Sequence, residues 1–444
     1  MPKDNNKDNT APFETQPLTG MPDLFPAAVA AFRRIEQTCR DVAGLYGYGE
    51  IRTPVLERLS LFKRGLGEVT DVVEKEMYSL TTAGGDVLAL RPENTASVVR
   101  AWINEGLHKR KGFTRLFYIG PMFRHEKPQK NRYRQLHQFG VEALGSASPL
   151  VDVEVIALAN DIYKRLGFKD ISVNLYTFGD VESRTPWRDA LTDYFKQHSD
   201  ALSDDSKRRL ERNVFRILDS KEKQDIAICE NAPRLDAYLT DNARKHFDTV
   251  RAGLDALGIA YVISPKLVRG LDYYAHTIFE FFGSEQGRQS ALGAGGRYDG
   301  LVEQFGGLPG AGAVGFALGL DRMALTLSGG DGFPVSDTWS PAVRVCRQDG
   351  VEISGALKVA ADLRSAGIAC DVELEDRKFR KQLARADKDG AKIVVIIGEA
   401  ELRDGRAWVK HFATSRQAVF ELSELPDVIR GLLDGSRDLP SMVE

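Results

Sequence analysis

The segment LVRGLDYYAHTIFEFF, residues 267–282, sets Arg269, Asp272, Tyr273 and Tyr274 beside a β-prone run of Ile278, Phe279, Phe281 and Phe282. A guanidinium cannot shed its proton to become cheap to bury, so Arg269 must reach water or meet an anion. A second segment, QLHQFGVEA, alternates with period two: Gln138, Gly140 and Glu142 share one face of a strand, and Phe139 and Val141 share the other. The glycine leaves room for a ligand against the backbone, where the amide and carboxylate can grip it. A solvated sheet face accounts for the same alternation equally well. Arg124 ends the preceding strand and offers a planar fork of donors, suited to a phosphate or to an ion pair with Glu126 or Glu142. The loop that follows holds Lys127, Gln129, Lys130, Asn131, Arg132 and Arg134, residue types found in phosphate and base-edge contacts and in solvated turns alike.

These residues need elements to position them. At 444 residues the chain exceeds one ordinary core, and 28% charged with 43% hydrophobic residues is the balance of a folded globular protein. A net charge of -3 gives no global positive field, so any nucleic-acid contact must come from local basic patches. Cys39, Cys229, Cys346 and Cys370 are far apart and match no zinc spacing, which fits a reducing, cytoplasmic compartment. No stretch approaches a membrane span and the first residues hold no apolar signal core, so residues 1–17 read as a polar, disordered tail.

From Leu24 to Tyr46, Val29, Phe32, Ile35, Cys39, Val42 and Leu45 recur at helical spacing. In the following GYGEIRTPVLERLSLF, Pro54 interrupts an otherwise extended segment, as at an edge strand or bulge. Residues 116–145 read as a long antiparallel hairpin. Ser148 and Pro149 open a helix that ends at Gly167, and charged helical text over 181–262 reads as an insertion. Residues 327–340, rich in Gly, Ser, Asp and Pro, read as a linker. Beyond it, strands and helices alternate as in a compact α/β domain over 341–436, with a basic helix near 376–389 that turns Phe379, Leu383 and Ala386 inward. The seven histidines form no cluster, and none is assigned to a metal.

The segment FYIGPMFRHEKPQKNRYRQLHQFGVE resembles motif 2 of class II aminoacyl-tRNA synthetases of the histidyl family. LRPENTA (90–96), LVRGLDYY (267–274), GAGGRYDGL (293–301) and GFALGLDRMAL (315–325) are similar to the family's other signatures, in the same order, and the resemblance runs from about residue 18 to residue 435. It implies an α+β fold: a class II antiparallel sheet over 18–326 with the 181–262 helical insertion, and a C-terminal anticodon-binding domain. It also implies a homodimer built around Pro54 and a two-step activity. L-Histidine would be activated by ATP with Mg²⁺ and then moved to the 3′ end of tRNA(His).

By the same resemblance Arg269 lies beside the α-phosphate and the amino-acid carboxylate. Arg124 and Arg322 bind ATP, Arg322 at the γ-phosphate end. Glu93 and Thr95 hold the substrate amine, Gln138, Glu142, Tyr273, Tyr274 and Tyr298 form the histidine pocket, and Gln129, Arg132 and Arg134 reach tRNA. Asn94 departs from the family's usual glycine, and Gly293, Gly295 and Gly296 fit either close ligand approach or tight turns. Two other classes share parts of this pattern: a synthetase-like regulatory subunit of ATP phosphoribosyltransferase and a non-catalytic tRNA-sensing module. The former usually lacks the C-terminal domain and the RGLDYY arginine, and the latter would be expected to lose ATP residues such as Arg124 or Arg322.

Overall fold

The computed structural model describes residues 15–66, 73, 76–110, 112–126, 133–265, 267, 273–285, 288–329 and 340–440. The chain divides into two compact units, Met1–Pro334 and Val335–Glu444.

The first unit is built on an eight-stranded sheet. Its middle is antiparallel: Thr114–Phe123, Gln135–Leu144, Ala313–Gly319, Arg288–Arg297, Ala275–Glu285 and Ser172–Thr177 lie side by side in that order. A short parallel strand closes each edge, Gly49–Glu50 against Thr114–Phe123 and Tyr261–Ile263 against Ser172–Thr177. The hairpin register pairs Gly120 with Gln138, Tyr118 with Gly140 and Leu116 with Glu142. This pairing keeps the Gln138, Gly140, Glu142 face intact. On the opposite face Phe139 and Val141 join Phe279, Phe281 and Phe316 in the main core under helices Pro26–Leu45, Pro149–Leu166 and Asp241–Ala256.

Helix Pro26–Leu45 forms where the apolar spacing places it and buries Phe32, Ile35, Cys39 and Val42, but Leu45, at its last turn, is 68% exposed; Ala28 and Ala43 complete the buried stripe. The segment around Pro54 is not one continuous strand. It breaks into Gly49–Glu50 and Leu56–Arg58, and LSLF turns into helix Leu59–Leu66, with Phe62 buried against Ala89 and Ala96. Leu56–Arg58 pairs with Val87–Leu90 and Ser79–Thr81 in a separate three-stranded sheet.

Within 181–262, helix Val181–Gln197 and the short helices after it gather their own core of Trp187, Leu191, Phe195 and Ile217. Helix Asp241–Ala256 instead sends Phe247, Val250 and Leu254 into the main core. The four cysteines are free. Among the described residues no helix is long and apolar enough to cross a membrane.

The second unit is a five-stranded mixed sheet. Cys370–Val372, Val343–Arg347 and Ile393–Ile397 run parallel, and Arg406–His411 and Gln417–Glu421 extend it antiparallel. Helices Ile353–Ser365 and Leu425–Asp434 bury Val359, Leu363, Val428 and Ile429 against the sheet in a core of its own. The basic helix spans Phe379–Lys388, with Ala386 buried and Phe379 and Leu383 packed beside it. Gln382 is also buried, its amide donating to the carbonyls of Arg347 and Arg377.

Candidate active site

Arg91 to Thr95 form the turn that carries the chain from strand Val87–Leu90 into helix Thr95–Asn104. The Glu93 carboxylate receives the N–H groups of Thr95 at 2.6 Å and Ala96 at 3.1 Å, so it caps the helix and supplies negative charge at its positive end. Burial pushes the Glu93 carboxyl above its ordinary range, while these N–H groups and the Arg124 guanidinium oppose that rise. Asn94 turns away from this surface. Its Oδ1 accepts from the Thr53 hydroxyl at 2.6 Å and from the buried Arg91 at 3.3 Å, so the asparagine serves as a strut beneath the turn.

Glu142 lies at the centre, 1% exposed. Thr95 Oγ1 donates to its Oε1 at 2.7 Å, and the Tyr298 hydroxyl donates to its Oε2. Burial raises its pKa to about 8, even though both hydroxyl bonds favour the charged form. Space for the carboxylate comes from Gly315 on the neighbouring strand, paired with Glu142, where any Cβ would land on Oε2. Gly140 plays the same part for Tyr118, whose ring fills the place of the missing side chain. Gly293, Gly295 and Gly296 are not turn residues, and Gly293 lines the cavity described below. They lie within strand Arg288–Arg297, where added Cβ atoms would strike the Tyr163 hydroxyl, Gly315 O and Thr277 O respectively.

A cavity of about 380 Å³ opens beside these groups; Thr95, Tyr298 and Gly315 line it, while Glu142 lies behind them, outside its lining. Glu93, Thr95, Gln138 and Tyr298 line one part, Tyr273 and Tyr274 another, and Arg124 and Arg322 project from two further elements. Gln138 Oε1 is buried without a hydrogen-bond partner among the described residues, an acceptor left for a ligand. The Tyr273 ring packs 4.8 Å from Tyr274 and 5.6 Å from Tyr298, and burial drives the phenols of Tyr273 and Tyr298 well above their ordinary pKa, so both stay neutral donors. Arg124 is steadied by Nε donating to Pro92 O at 2.9 Å; its Nη1 stands 4.0 Å from Glu126, a long contact that leaves the fork available to a phosphate. Arg322 follows Asp321 in helix Leu320–Leu327; Asp321 accepts from His137 N at 2.5 Å, pinning the helix to the hairpin, and Arg322 Nη1 reaches Ala291 O at 2.5 Å.

Other expected residues fall elsewhere. Arg134 closes the hairpin, its backbone N–H bonded to Gly20 O at 2.7 Å and its Nε to Glu126 O at 3.3 Å. Arg269, Gln129 and Arg132 lie outside the described residues. Two groups escaped the sequence reading. Tyr118 is 2% exposed and lines the cavity; as the cross-strand partner of Gly140 it could have been found from the hairpin register. Arg297, adjacent to Tyr298, is completely buried, and all three of its nitrogens are engaged: Nε and Nη2 on Asp152, Nη1 on Ser146 O and Asp299, and Nη2 also on Ser148 O. Burial alone would raise the Asp152 carboxyl, but Arg297 and His246 outweigh it and hold it below its ordinary value. No local pattern in GAGGRYDGL separates Arg297 from a ligand-binding arginine.

The fold is that of a class II aminoacyl-tRNA synthetase catalytic unit followed by an anticodon-binding unit. Residues 20–323 match the family model described as histidyl-tRNA synthetase, and residues 344–432 match that of an anticodon binding domain. The chain is similar to the histidine–tRNA ligase of Thermosynechococcus vestitus, 45% identical over 91% of this chain and 94% of the relative, and to that of Fervidobacterium nodosum, 41% identical over 94% and 99%. A crystal structure of apo S. aureus histidyl-tRNA synthetase superposes with a TM-score of 0.77 at 33% identity, covering 94% of this chain and 99% of that one. The chain therefore belongs to the histidyl-tRNA synthetase family.

Proposed function

We propose that this chain is a histidine–tRNA ligase that joins L-histidine to ATP as an adenylate and then transfers the acyl group to the 3′ end of tRNA(His). The observation that carries the reading is a cavity lined by Arg124 and Arg322 whose Thr95 and Tyr298 both donate to the buried Glu142 carboxylate behind them. An imidazole is the natural partner for this carboxyl, since its N–H can donate to the ionised form and its bare nitrogen can accept from the protonated form. A side chain without ring nitrogens would leave Glu142 only its Thr95 and Tyr298 bonds, and a site built to hydrogen-bond its substrate rejects analogues that lack the group by roughly 10⁴ or more.

The substrate ammonium is assigned to Thr95, Glu93 and the open acceptor Gln138; the Thr95 hydroxyl can accept from it while still donating to Glu142. Tyr273, Tyr274 and Tyr298 wall the imidazole. A histidine carboxylate oxygen attacks the α-phosphorus and pyrophosphate leaves. The terminal ribose hydroxyl then attacks the acyl carbon and AMP leaves. Arg124 and Arg322 grip the phosphates, and Arg269 offsets charge that grows at the α-phosphate.

Mg²⁺ enters with the nucleotide in this reading. It keeps most of its waters and needs only one or two carboxylates beside phosphate oxygens, and Glu280 and Asp321 line the cavity. Among the described residues no cluster of three or more His, Cys, Asp or Glu is placed to hold a metal ion. Bound with the nucleotide, Mg²⁺ would screen the phosphate charge. The same reading assigns a homodimer about the Pro54 region, a cytoplasmic location, tRNA contacts at Gln129, Arg132 and Arg134, and the domain limits 18–326 and 341–436.

The test is ATP–pyrophosphate exchange with purified protein. Exchange should require histidine and fail with other amino acids; exchange absent with histidine, or equal with another amino acid, defeats the reading. Arg269→Ala should lower kcat by about 2 to 4 kcal/mol of barrier while histidine affinity changes little. An unaltered kcat would remove the role given to Arg269.

A further inference from the structure

Two imidazoles far apart in the sequence meet beside the segment that carries Tyr273 and Tyr274. His246, on helix Asp241–Ala256, and His276, in strand Ala275–Glu285, stack with ring centroids 4.5 Å apart and planes 20° from parallel. His246 Nε2 stands 3.5 Å from Asp152 Oδ1 and 3.4 Å from Thr277 Oγ1. Neither ring lines the 380 Å³ cavity.

The backbone makes the position unusual. Within its strand His276 adopts φ 50°, the left-handed region that glycine enters freely and other residues seldom do. The register gives the reason: Gly296 pairs with Ile278 but Arg297 pairs with Ala275, so His276 and Thr277 bulge away from that neighbour. On the other side the His276 N–H donates to Gly179 O at 2.8 Å, and its carbonyl accepts from Phe178 N at 2.6 Å. Past the bulge lie Tyr274 and Tyr273, both of which line the cavity. The Tyr274 ring rests on Gly296, where an added Cβ would stand 2.8 Å from its Cδ1, and the Tyr274 carbonyl accepts from Arg184 Nη1 at 2.8 Å. The shape of the bulge therefore sets where the two tyrosines enter the wall.

The stack tolerates little positive charge. His276 Nδ1 is buried without a hydrogen-bond partner among the described residues, so a proton there would become a buried donor with no acceptor. Burial disfavours the imidazolium most, and His246 and Arg297 add to it. Asp299, at the start of helix Asp299–Gln304, and Asp180, ahead of helix Val181–Gln197, oppose them, and the balance keeps His276 below its ordinary 6.5. Asp152, on helix Pro149–Leu166, faces His246 and is itself clamped by Arg297.

We propose that His276 is a positioning residue for histidine binding: its neutral ring, stacked on His246, fixes the bulge that sets Tyr273 and Tyr274 in the pocket wall, and protonation loosens that wall. The role rests on the ligase reading. The test is the pH dependence of histidine-dependent pyrophosphate exchange in the wild type, His276→Gly and His246→Gln. Glycine keeps the left-handed backbone without the ring, and glutamine keeps a donor for Asp152 without the ring. At about pH 7.5 each variant should raise the histidine KM by about fivefold or more, with kcat within about twofold of the wild type. At about pH 5.5, below the ordinary imidazole value, the wild-type KM should converge on those of the variants to within about twofold. The ratio of variant to wild type cancels the titration of the substrate ring and of Glu142, which both share. The double variant should be no worse than either single one, because each removes the same stack. Should one variant lose cooperative unfolding, the other carries the pH comparison alone. A KM ratio that stays constant with pH, wild-type KM in the variants at both pH values, effects that multiply in the double variant, or kcat that falls in step with the rise in KM overturns the proposal. A wild type without histidine-dependent exchange defeats the ligase reading and this role with it, whereas exchange with a flat ratio defeats the role alone.

Discussion

Glu142 is placed where a carboxylate is least stable, and the pH dependence of folding should show it. Its pKa rises from an ordinary 4.5 to about 8 on folding, so between those values the folded protein keeps a proton that the unfolded chain has released. The stability drawn from the protonated form is complete below about pH 4.5 and is lost as pH rises through 8. Glu142→Gln removes this term: at pH 8.5 the variant should be more stable than the wild type by roughly 3 to 5 kcal/mol at 1.4 kcal/mol per unit, with little difference at pH 5. Thermal unfolding across this range is the measurement. A variant no more stable at high pH would mean that the Thr95 and Tyr298 hydroxyls hold the carboxylate ionised. The same substitution should lower histidine-dependent exchange at least tenfold, because an amide pairs with the ring as the neutral carboxyl does but cannot ionise to offset its charge. Gly315→Ala tests the space beside it: its Cβ would land on Glu142 Oε2 and on Val141 O, and exchange should fall at least tenfold even where the fold survives. Much of this was legible in the sequence, since period two alone set Gln138, Gly140 and Glu142 on one face. What period two cannot report is which neighbouring strand lies opposite, and so Gly315 and Tyr118 became visible only with the register.

The elements around the site hold its side chains by buried polar clamps rather than by packing alone. Arg297 ties the 146–148 turn, the first turn of helix Pro149–Leu166 and Asp299 to one guanidinium, and the residue between Arg297 and Asp299 is Tyr298, the donor to Glu142. Removing one partner of a fully buried ion pair leaves a charge without compensation and costs about 3 to 5 kcal/mol. Asp152→Asn should therefore destabilise the first unit by that amount in denaturant unfolding. A loss below 1 kcal/mol would show that the carbonyls of Ser146 and Ser148 suffice for Arg297. Element identity was legible wherever a period ran long, as in helix Pro26–Leu45 and the 114–144 hairpin. It failed at LSLF, where four residues carry too few turns to separate a strand from a helix, and at Leu45, where the last turn of the helix extends past the sheet it covers. A buried arginine that is a strut and a buried arginine that awaits a phosphate look alike in sequence, since both need the same compensation and only the fold determines what supplies it.

At the scale of the molecule, each of the two units has a hydrophobic core of its own, which implies two tasks that can be separated. Phe139, Phe279 and Phe316 anchor the core of the first unit and Val345, Val395 and Ile429 that of the second, and among the described residues those that line the 380 Å³ cavity belong to the first unit. The expected linker, residues 327–340, lies mostly outside the described residues, and the division between the two units falls within it, between Pro334 and Val335. The assignment of RNA to the second unit rests on the family rather than on charge: Arg385, on its basic helix, already faces Asp389 at 3.5 Å and Glu373 at 3.8 Å. Deleting residues 341–444 should therefore spare histidine-dependent pyrophosphate exchange to within a few-fold and lower the rate of tRNA charging at limiting tRNA by at least a hundredfold, since only the second reaction draws binding energy from the removed unit. Equal loss of both activities in a truncated chain that still unfolds cooperatively would mean that the second unit supports the catalytic one, and the division of tasks between the two cores would be wrong.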